Sequence, residues 1–233
     1  GPSPNELRWQ LQAVDQRAIN LPVDLTNFVM LDLGQPMHAF DSRHIGDASI
    51  RVRRAKDGEA ITTLDGQERK LDDQDLLICA DDTPEALAGV MGGEGTMVEA
   101  GTTSLFLESA NFRASTIRRT TMRLGLRTDA STRFEKAQDP KNAETAVHYF
   151  LQLLREHCPT AAAAGPLIDP AGFVYEAEPL ALRRTRGRAP LHGAAQGRAA
   201  TAAAAARQQP QPRRRPARLR VAPPLKAVAM QGV

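Results

Sequence analysis

The sequence predicts an α+β fold: a mixed or antiparallel sheet core with helices on either side, followed by a basic tail without fixed structure. Three observations predict it. Apolar residues recur with a helical period at both ends of the first 178 residues. Between Ser49 and Ala110 the period falls to two, with hairpin signals between short runs. Charge then divides the chain. Residues 1–178 carry 18 Lys/Arg against 27 Asp/Glu, a net charge of −9, whereas residues 179–233 carry 12 Lys/Arg and no acid, a net charge of +12. An acidic folded body (1–178) and a basic, low-complexity tail (179–233) are the expected organisation.

The elements follow in order. Ser3-Pro4-Asn5-Glu6 has the pattern of a capping box and opens a helix that runs to about Ala13–Arg17. A short extended run, Ile19–Val23, leads to Asp24 as cap of a second helix, which carries Leu25, Phe28, Val29, Leu31 and Leu33 and ends at Gly34. Ile50 and Val52 alternate with Arg51 and Arg53, the mark of a strand with one wet face. Ile61–Leu64, Asp65-Gly66 and Gln67–Leu71 spell a hairpin. Leu76–Cys79, Ala86–Val90 and Ser104–Leu107 read as buried strands. The helical period returns with Ile117, Met122 and Leu124, ending at Gly125, and again from Asp139-Pro140 through Ala143, Ala146, Val147, Phe150, Leu151 and Leu154. Beyond residue 178 the run Thr201–Ala206 and the Gln/Pro and Arg clusters that follow offer too little apolar surface to offset the entropy of ordering.

Several function classes are excluded or left without support. No apolar run is long enough for a membrane span, and charged residues interrupt the N-terminus where a signal peptide would need an apolar stretch. Cys79 and Cys158 are far apart and match no metal spacing, and His38, His44, His148, His157 and His192 form no metal set, so no metal is expected. Two reduced thiols point to a cytoplasmic protein. No serine lies in a nucleophile elbow. The start at Gly1 rather than Met is what a fragment or a processed product would show.

Four polar clusters carry the remaining signal. Thr26-Asn27 and Gly34-Gln35-Pro36-Met37-His38-Ala39-Phe40-Asp41 place His38 on a tight connection after a helix, either serving a site or simply bonding a loop while Asp41 caps the next turn. Gly89-Val90-Met91-Gly92-Gly93-Glu94-Gly95 permits close backbone approach to a ligand, or makes a plain strand-to-strand turn. Glu108, at the end of an apolar run, is either a pocket acceptor or a solvated surface group. Finally, Arg113, Arg118, Arg119, Arg123, Arg127, Arg133 and Lys136 outnumber Asp129 and Glu135, as on a phosphate-facing surface with Thr128–Thr132 as a hydroxyl-bearing loop, or on a solvated helix.

Taken together these strings resemble the B3/B4 domain of the bacterial-type phenylalanyl-tRNA synthetase β subunit. The matching stretches are Val23–Met30, Leu33–Asp41, Met91–Glu94 and Thr128–Glu135, in the family's order and spacing; the likeness runs from about Pro4 to Arg186. The resemblance implies an editing site that hydrolyses Tyr-tRNA(Phe), with His38, Glu108, Thr128 and Ala130 at the catalytic pocket. It also implies substrate-binding roles for Asn27, Gly92, Gly93 and Gln35, and tRNA contacts from Arg119, Arg123, Arg127 and Arg133. In the family the positions of Glu108 and Gly92 recognise the tyrosine hydroxyl, Thr128 and Ala130 shape the floor around the ring, and His38 would position the terminal adenosine or a water. This chain would need no cofactor; ATP and Mg2+ belong to the complete synthetase, as do the α subunit of an α2β2 assembly and tRNA(Phe) as partners. It should not aminoacylate alone. Lys136-Ala137 and Phe28 depart from the family's usual residues without touching the pocket set. A non-catalytic structural or RNA-binding module and a free-standing editing protein are the alternatives. After Arg186 the likeness stops, and the tract that follows is either a native basic tail, the start of a further domain or the product of a shifted reading frame.

Overall fold

The computed structural model describes residues 1–169 and 226–231. Helix α1 (Asn5–Gln12) buries Leu7 and Leu11, and α2 (Leu21–Leu33) buries Leu25, Val29 and Met30. Next come β1 (Met37–Asp41), the single turn α3 (Ser42–Ile45), β2 (Ile50–Arg54), β3 (Ala60–Thr62), β4 (Glu68–Lys70), β5 (Leu76–Ala80), β6 (Thr83–Leu87) and β7 (Met91–Gly92). A 3-10 turn at Glu94–Thr96 leads into β8 (Leu105–Asn111), then α4 (Ala114–Leu124), α5 (Asp129–Phe134), α6 (Asn142–His157) and β9 (Lys226–Gln231). The fold is α+β.

Three sheets form: β1-β8-β9, β2-β5-β6-β7 and the β3-β4 hairpin. All pairings are antiparallel except β8 with β9, which run parallel. The β1–β8 pair divides two cores, because successive side chains on a strand point to opposite faces. Ala39, Leu105 and Leu107 face the helical core, where Leu11, Val29, Val147 and Phe150 are fully buried. Phe40, Phe106 and Ala110 face the core shared with β5, β6, Phe112, Ile117 and Phe134. Burial of Phe150 and Leu107 alone contributes about 3–6 kcal/mol relative to exposure.

The sequence and the structure differ at several ends. Ser3 does not cap α1; Pro4 occupies that position without a side-chain bond, and the Ser3 hydroxyl donates instead to Asp24 Oδ2 at 2.5 Å. Ile19–Val23 is not an extended run, because α2 already begins at Leu21. Asn20 is its cap, accepting from the Val23 N–H at 3.1 Å, while Asp24 is drawn into the bonds from Ser3 and from the Ile19 N–H at 2.7 Å. Gly34 ends α2 in the left-handed conformation, φ 77°, as its sequence position predicts. The Asp65-Gly66 hairpin forms, and Gly125 closes α4. The Ala86–Val90 run is a strand only to Leu87; the chain then turns, with the Val90 N–H on the Leu87 carbonyl.

Two further corrections bear on the site. His38 is not on a connection but within β1, and Thr128–Thr132 is not a loop but the cap and first turn of α5. Lys226–Gln231 pairs with Phe106–Asn111 of β8, along the edge of that strand away from β1. The rest of that tail, the boundary at 178 and the reading of residues 187–225 lie outside the described residues. Among the described residues no helix is long and apolar enough to cross a membrane.

The cap of α2 gives a direct check on this part of the fold. Asn20→Ala is expected to lower stability by about 1 kcal/mol, read as a drop in thermal midpoint, because the Val23 N–H then loses its acceptor.

Candidate functional site

A cavity of about 70 Å³ opens between the β1–β8 pair and the β6–β7 turn. Room for one water takes about 10–15 Å³, so the cavity exceeds what a single water needs. Its walls are apolar: Ile78 from β5, Ala86 and Leu87 from β6, Val90 and Met91 from the turn and β7, and Ala130 and Phe134 from α5. Pro36, Met37, Gly89 and Gly92 complete the lining with two titratable side chains, His38 and Glu108.

Strand register brings those two together. His38 of β1 stands directly opposite Glu108 of β8, so their side chains share a face. That face is the one on which Phe40, Phe106 and Ala110 point into the core, which explains why Glu108 is only 6% exposed. Among the described residues the Glu108 carboxyl has no hydrogen-bond or ion-pair partner, and burial pushes its pKa from 4.5 up to about 8. The His38 imidazole packs edge-on against Phe40, ring centroids 4.4 Å apart, and its Nε2 is buried without a partner. Burial lowers its pKa from 6.5 to about 4. Burial thus favours the neutral form of each group, the carboxylic acid of Glu108 and the free-base imidazole of His38.

Gly92 sets where the imidazole lies. A Cβ built on it would fall 2.5 Å from His38 Cε1 and 2.6 Å from Nε2, so only a bare Cα fits beneath the ring. Gly93 is needed for a different reason: its Cβ would meet the Glu85 carbonyl oxygen at 2.6 Å, where the Gly93 N–H bonds that same oxygen across the turn. It packs strands and does not line the cavity.

The remaining expected site residues separate into supports and outliers. Thr128 does not face the cavity. Its hydroxyl donates to the Val90 carbonyl at 2.7 Å and accepts from the Ser131 N–H at 3.1 Å, while Ser131 Oγ accepts from the Thr128 N–H at 2.9 Å. This reciprocal box caps α5 and ties it to the β6–β7 turn, so Ala130 and Phe134 are held against Val90. Gln35 is fully buried and donates to the Ala110 carbonyl at 2.8 Å and the Pro36 carbonyl at 3.1 Å, anchoring the entry to β1 onto β8. Asn27 is half-buried on α2, away from the lining. Asp41 caps α3, accepting from the Arg43 N–H; the Arg43 guanidinium and the Thr102 hydroxyl hold its carboxyl well below the usual carboxylate range.

The four arginines assigned to tRNA each have partners within the chain. Arg119 bonds the Gln74 side chain, Arg123 pairs with Asp72 and Asp75, Arg127 with Glu135, and Arg133 with Asp129. Those on α4 fasten that helix to the β4–β5 connection, where Thr120 adds a bond to Asp75 at 2.7 Å. The apolar wall escaped the sequence reading. Ile78, Leu87 and Phe134 were visible as hydrophobic residues, but nothing in the pattern distinguishes a cavity wall from ordinary core. Among the described residues no group of three His, Cys, Asp or Glu could hold a metal ion.

The neutral pair has a stability consequence. Glu108 binds its proton more tightly folded than unfolded, so its contribution is full below pH 4.5 and is lost as pH rises through about 8, a change of the order of 5 kcal/mol. His38 has the opposite sign: stability is lost as pH falls from 6.5 to about 4. Thermal midpoints should therefore fall between pH 6.5 and 8.5, and Glu108→Gln should largely remove that fall. Gly92→Ala should cost about 1–3 kcal/mol and shift the His38 imidazole resonances, since the ring must move.

Comparison with known proteins then fixes the family. A family model described as the B3/4 domain matches residues 1–159. The phenylalanine–tRNA ligase β subunit of Moorella thermoacetica is 50% identical over 156 residues, covering 67% of this chain and 19% of that protein. That of Solibacter usitatus is 44% identical over 193 residues, covering 81% of this chain and 25% of its own length. That of Anaeromyxobacter dehalogenans is 51% identical over 140 residues, with 60% and 18% covered. The chain spans about a fifth to a quarter of the length of these relatives. With the GQPMHAFD string on β1 and the TDASTRFE string on α5 both built into the cavity region, the chain belongs to the B3/4 domain family, in the form carried by phenylalanine–tRNA ligase β subunits.

Proposed function

We propose that the cavity between β1, β8 and α5 is a hydrolytic editing site that removes tyrosine from mischarged Tyr-tRNA(Phe), as part of a phenylalanine–tRNA ligase β subunit. The observation that carries this reading is the Glu108 carboxyl, buried in an apolar cavity without a partner among the described residues. A desolvated polar group with no partner costs about 1–3 kcal/mol. A ring hydroxyl entering the cavity would remove that cost, while a phenylalanine ring would leave it in place. Discrimination on this basis is far stronger than discrimination by size, since one hydroxyl more or less in an apolar pocket is poorly resolved.

The chemistry asks little of the protein beyond position. A water oxygen bonds to the tyrosyl carbonyl carbon, the ester bond to the ribose oxygen breaks, and a proton returns to that oxygen. Tyrosine leaves as a free carboxylate. Holding the ring at its far end fixes the ester at the cavity mouth, and such orientation lowers the barrier without a nucleophilic side chain. Gly92 would hold its wall close, Ala130 and Phe134 would bound the ring, and Thr128 would act through the α5 cap. No cofactor takes part in this step. ATP, Mg2+, the α subunit of an α2β2 assembly and tRNA(Phe) would be the cofactors and partners of aminoacylation in the complete ligase.

Deacylation of Tyr-tRNA(Phe) and Phe-tRNA(Phe), measured for the chain and for the complete α/β enzyme, tests the reading. Fast release of tyrosine and slow release of phenylalanine are expected, with Glu108→Ala lowering kcat/KM for the tyrosyl substrate by about 100-fold and leaving the phenylalanyl substrate little changed. Equal rates for the two substrates in the complete wild-type enzyme would overturn it.

A further inference from the structure

Resting on the editing reading for what enters the cavity, we propose that the seam between α4 and the end of α5, formed by Arg118, Arg127 and Lys136, is a phosphate-binding surface. Its ligand is the backbone of the RNA strand that carries the aminoacyl ester. The seam lies outside the cavity and reads no part of the amino acid.

Charge and position carry the assignment. Phe112, at the entry to α4, packs on Phe134 of α5 with ring centroids 5.0 Å apart, so the two helices meet beside the cavity wall that Phe134 forms. At the end of α5 stands one acid, Glu135, with its side chain 12% exposed. Arg127, 67% exposed, pairs with that carboxylate. Arg118 reaches across from α4, and its Nη2 donates to the Glu135 carbonyl oxygen at 2.9 Å. Lys136 follows in sequence and is exposed, and no ion pair joins it to an acid among the described residues. One cation balances Glu135. Three stand there, which leaves a surplus of two positive charges at the surface.

Arg119, Arg123 and Arg133 do not share this surplus. Arg123 is taken by Asp72 and Asp75, and Arg133 by Asp129. Arg119 bonds the Gln74 side chain, whose amide donates to Asp73 at 3.1 Å, so an acid stands close to it as well. The phosphate contacts therefore shift from these three arginines to the seam.

The occupant follows from where an ester must lie. With the amino acid inside the cavity and the ester at its mouth, the ribose and the phosphate before it remain outside the walls. Residues next in sequence to the lining positions offer that phosphate little: Gln35, Ala88, Gly93 and Ser109 are uncharged, and Arg133 is already paired. The seam begins one residue beyond Phe134, which puts its free charge beside this rim. Arginine and lysine contacts to phosphate fix the position of a strand without reading its sequence, and they release counterions as they form.

The test uses the full chain. Binding of uncharged tRNA(Phe) is followed by fluorescence anisotropy between about 50 and 200 mM salt. The wild type is compared with Arg118→Gln, Lys136→Gln and the double variant. Arg155→Gln is the control, an exposed charge on α6, which packs in the helical core on the other side of the β1–β8 pair. The slope of log affinity against log salt is expected to become shallower by about 1 for each seam charge removed and by about 2 in the double variant. A double variant that changes the slope no more than Arg155→Gln does would overturn the proposal. An unchanged slope together with weakened assembly of the complete α/β enzyme would make the seam a protein interface and overturn it too. Deacylation of Tyr-tRNA(Phe) and of the 3′-tyrosyl ester of adenosine gives a second readout, because the ester has no backbone phosphate. The loss in kcat/KM should fall on Tyr-tRNA(Phe), mostly through KM; equal losses on both would place the seam's role in the shape of the cavity and contradict the assignment. Circular dichroism checks the fold of Arg118→Gln, and Lys136→Gln breaks no ion pair. If the wild type hydrolyses neither substrate the editing reading falls, and the binding slopes still decide for or against the seam.

Discussion

Antiparallel pairing of β1 with β8 in one register is the constraint on which the rest depends. Because side chains alternate along a strand, that register sends Ala39, Leu105 and Leu107 into the helical core and Phe40, Phe106 and Ala110 into the other. It also sends His38 and Glu108 to the second face, next to each other and into apolar surroundings. A slip of either strand by one residue would turn its side chains to the opposite faces and place His38 or Glu108 in the helical core. The apolar residues of β8 thus pin the register, and the register in turn imposes the desolvation that raises the pKa of Glu108 and lowers that of His38.

Around this pair the structure is arranged as a set of braces. Gln35 fixes the entry of β1 to the end of β8 through the Ala110 carbonyl. Thr128 fixes α5 to the Val90 carbonyl, and Ser131 completes the cap. Arg123 and Thr120 converge on Asp75 to hold α4 against the β4–β5 connection. Several residues that family resemblance places at the site thus have their bonds directed to backbone carbonyls rather than into the cavity. They set the spacing of the walls, and His38 and Glu108 line the cavity between those walls.

The elements with strong local signals were legible in the sequence. Gly34 and Gly125 stop helices because a left-handed residue is needed there, Asp65-Gly66 makes its hairpin, and the i, i+3, i+4 spacing of Ala143, Ala146, Val147, Phe150 and Leu154 is the buried face of α6. Competing caps were not legible. Ser3 and Asn20 are both good cap residues, and only the fold reveals that Asp24 draws Ser3 away while Asn20 meets Val23. Glu108 was legible as a candidate but not as a buried one, since burial of a Glu in an apolar run depends on a strand 70 residues away in sequence, His38 being its register partner. The partners of the basic stretch were hidden for a related reason: the acids that bind Arg123, Asp72 and Asp75, come from another part of the chain.

The central claim is that Glu108 waits in the cavity as a neutral, unpartnered acid for a ring hydroxyl. The most direct measurement is a 13C NMR titration of its side-chain carboxyl, with and without p-cresol. The account predicts a titration midpoint near 8 and a resonance that moves with p-cresol and stays put with toluene. A midpoint near 4.5, with no response to either compound, would contradict it.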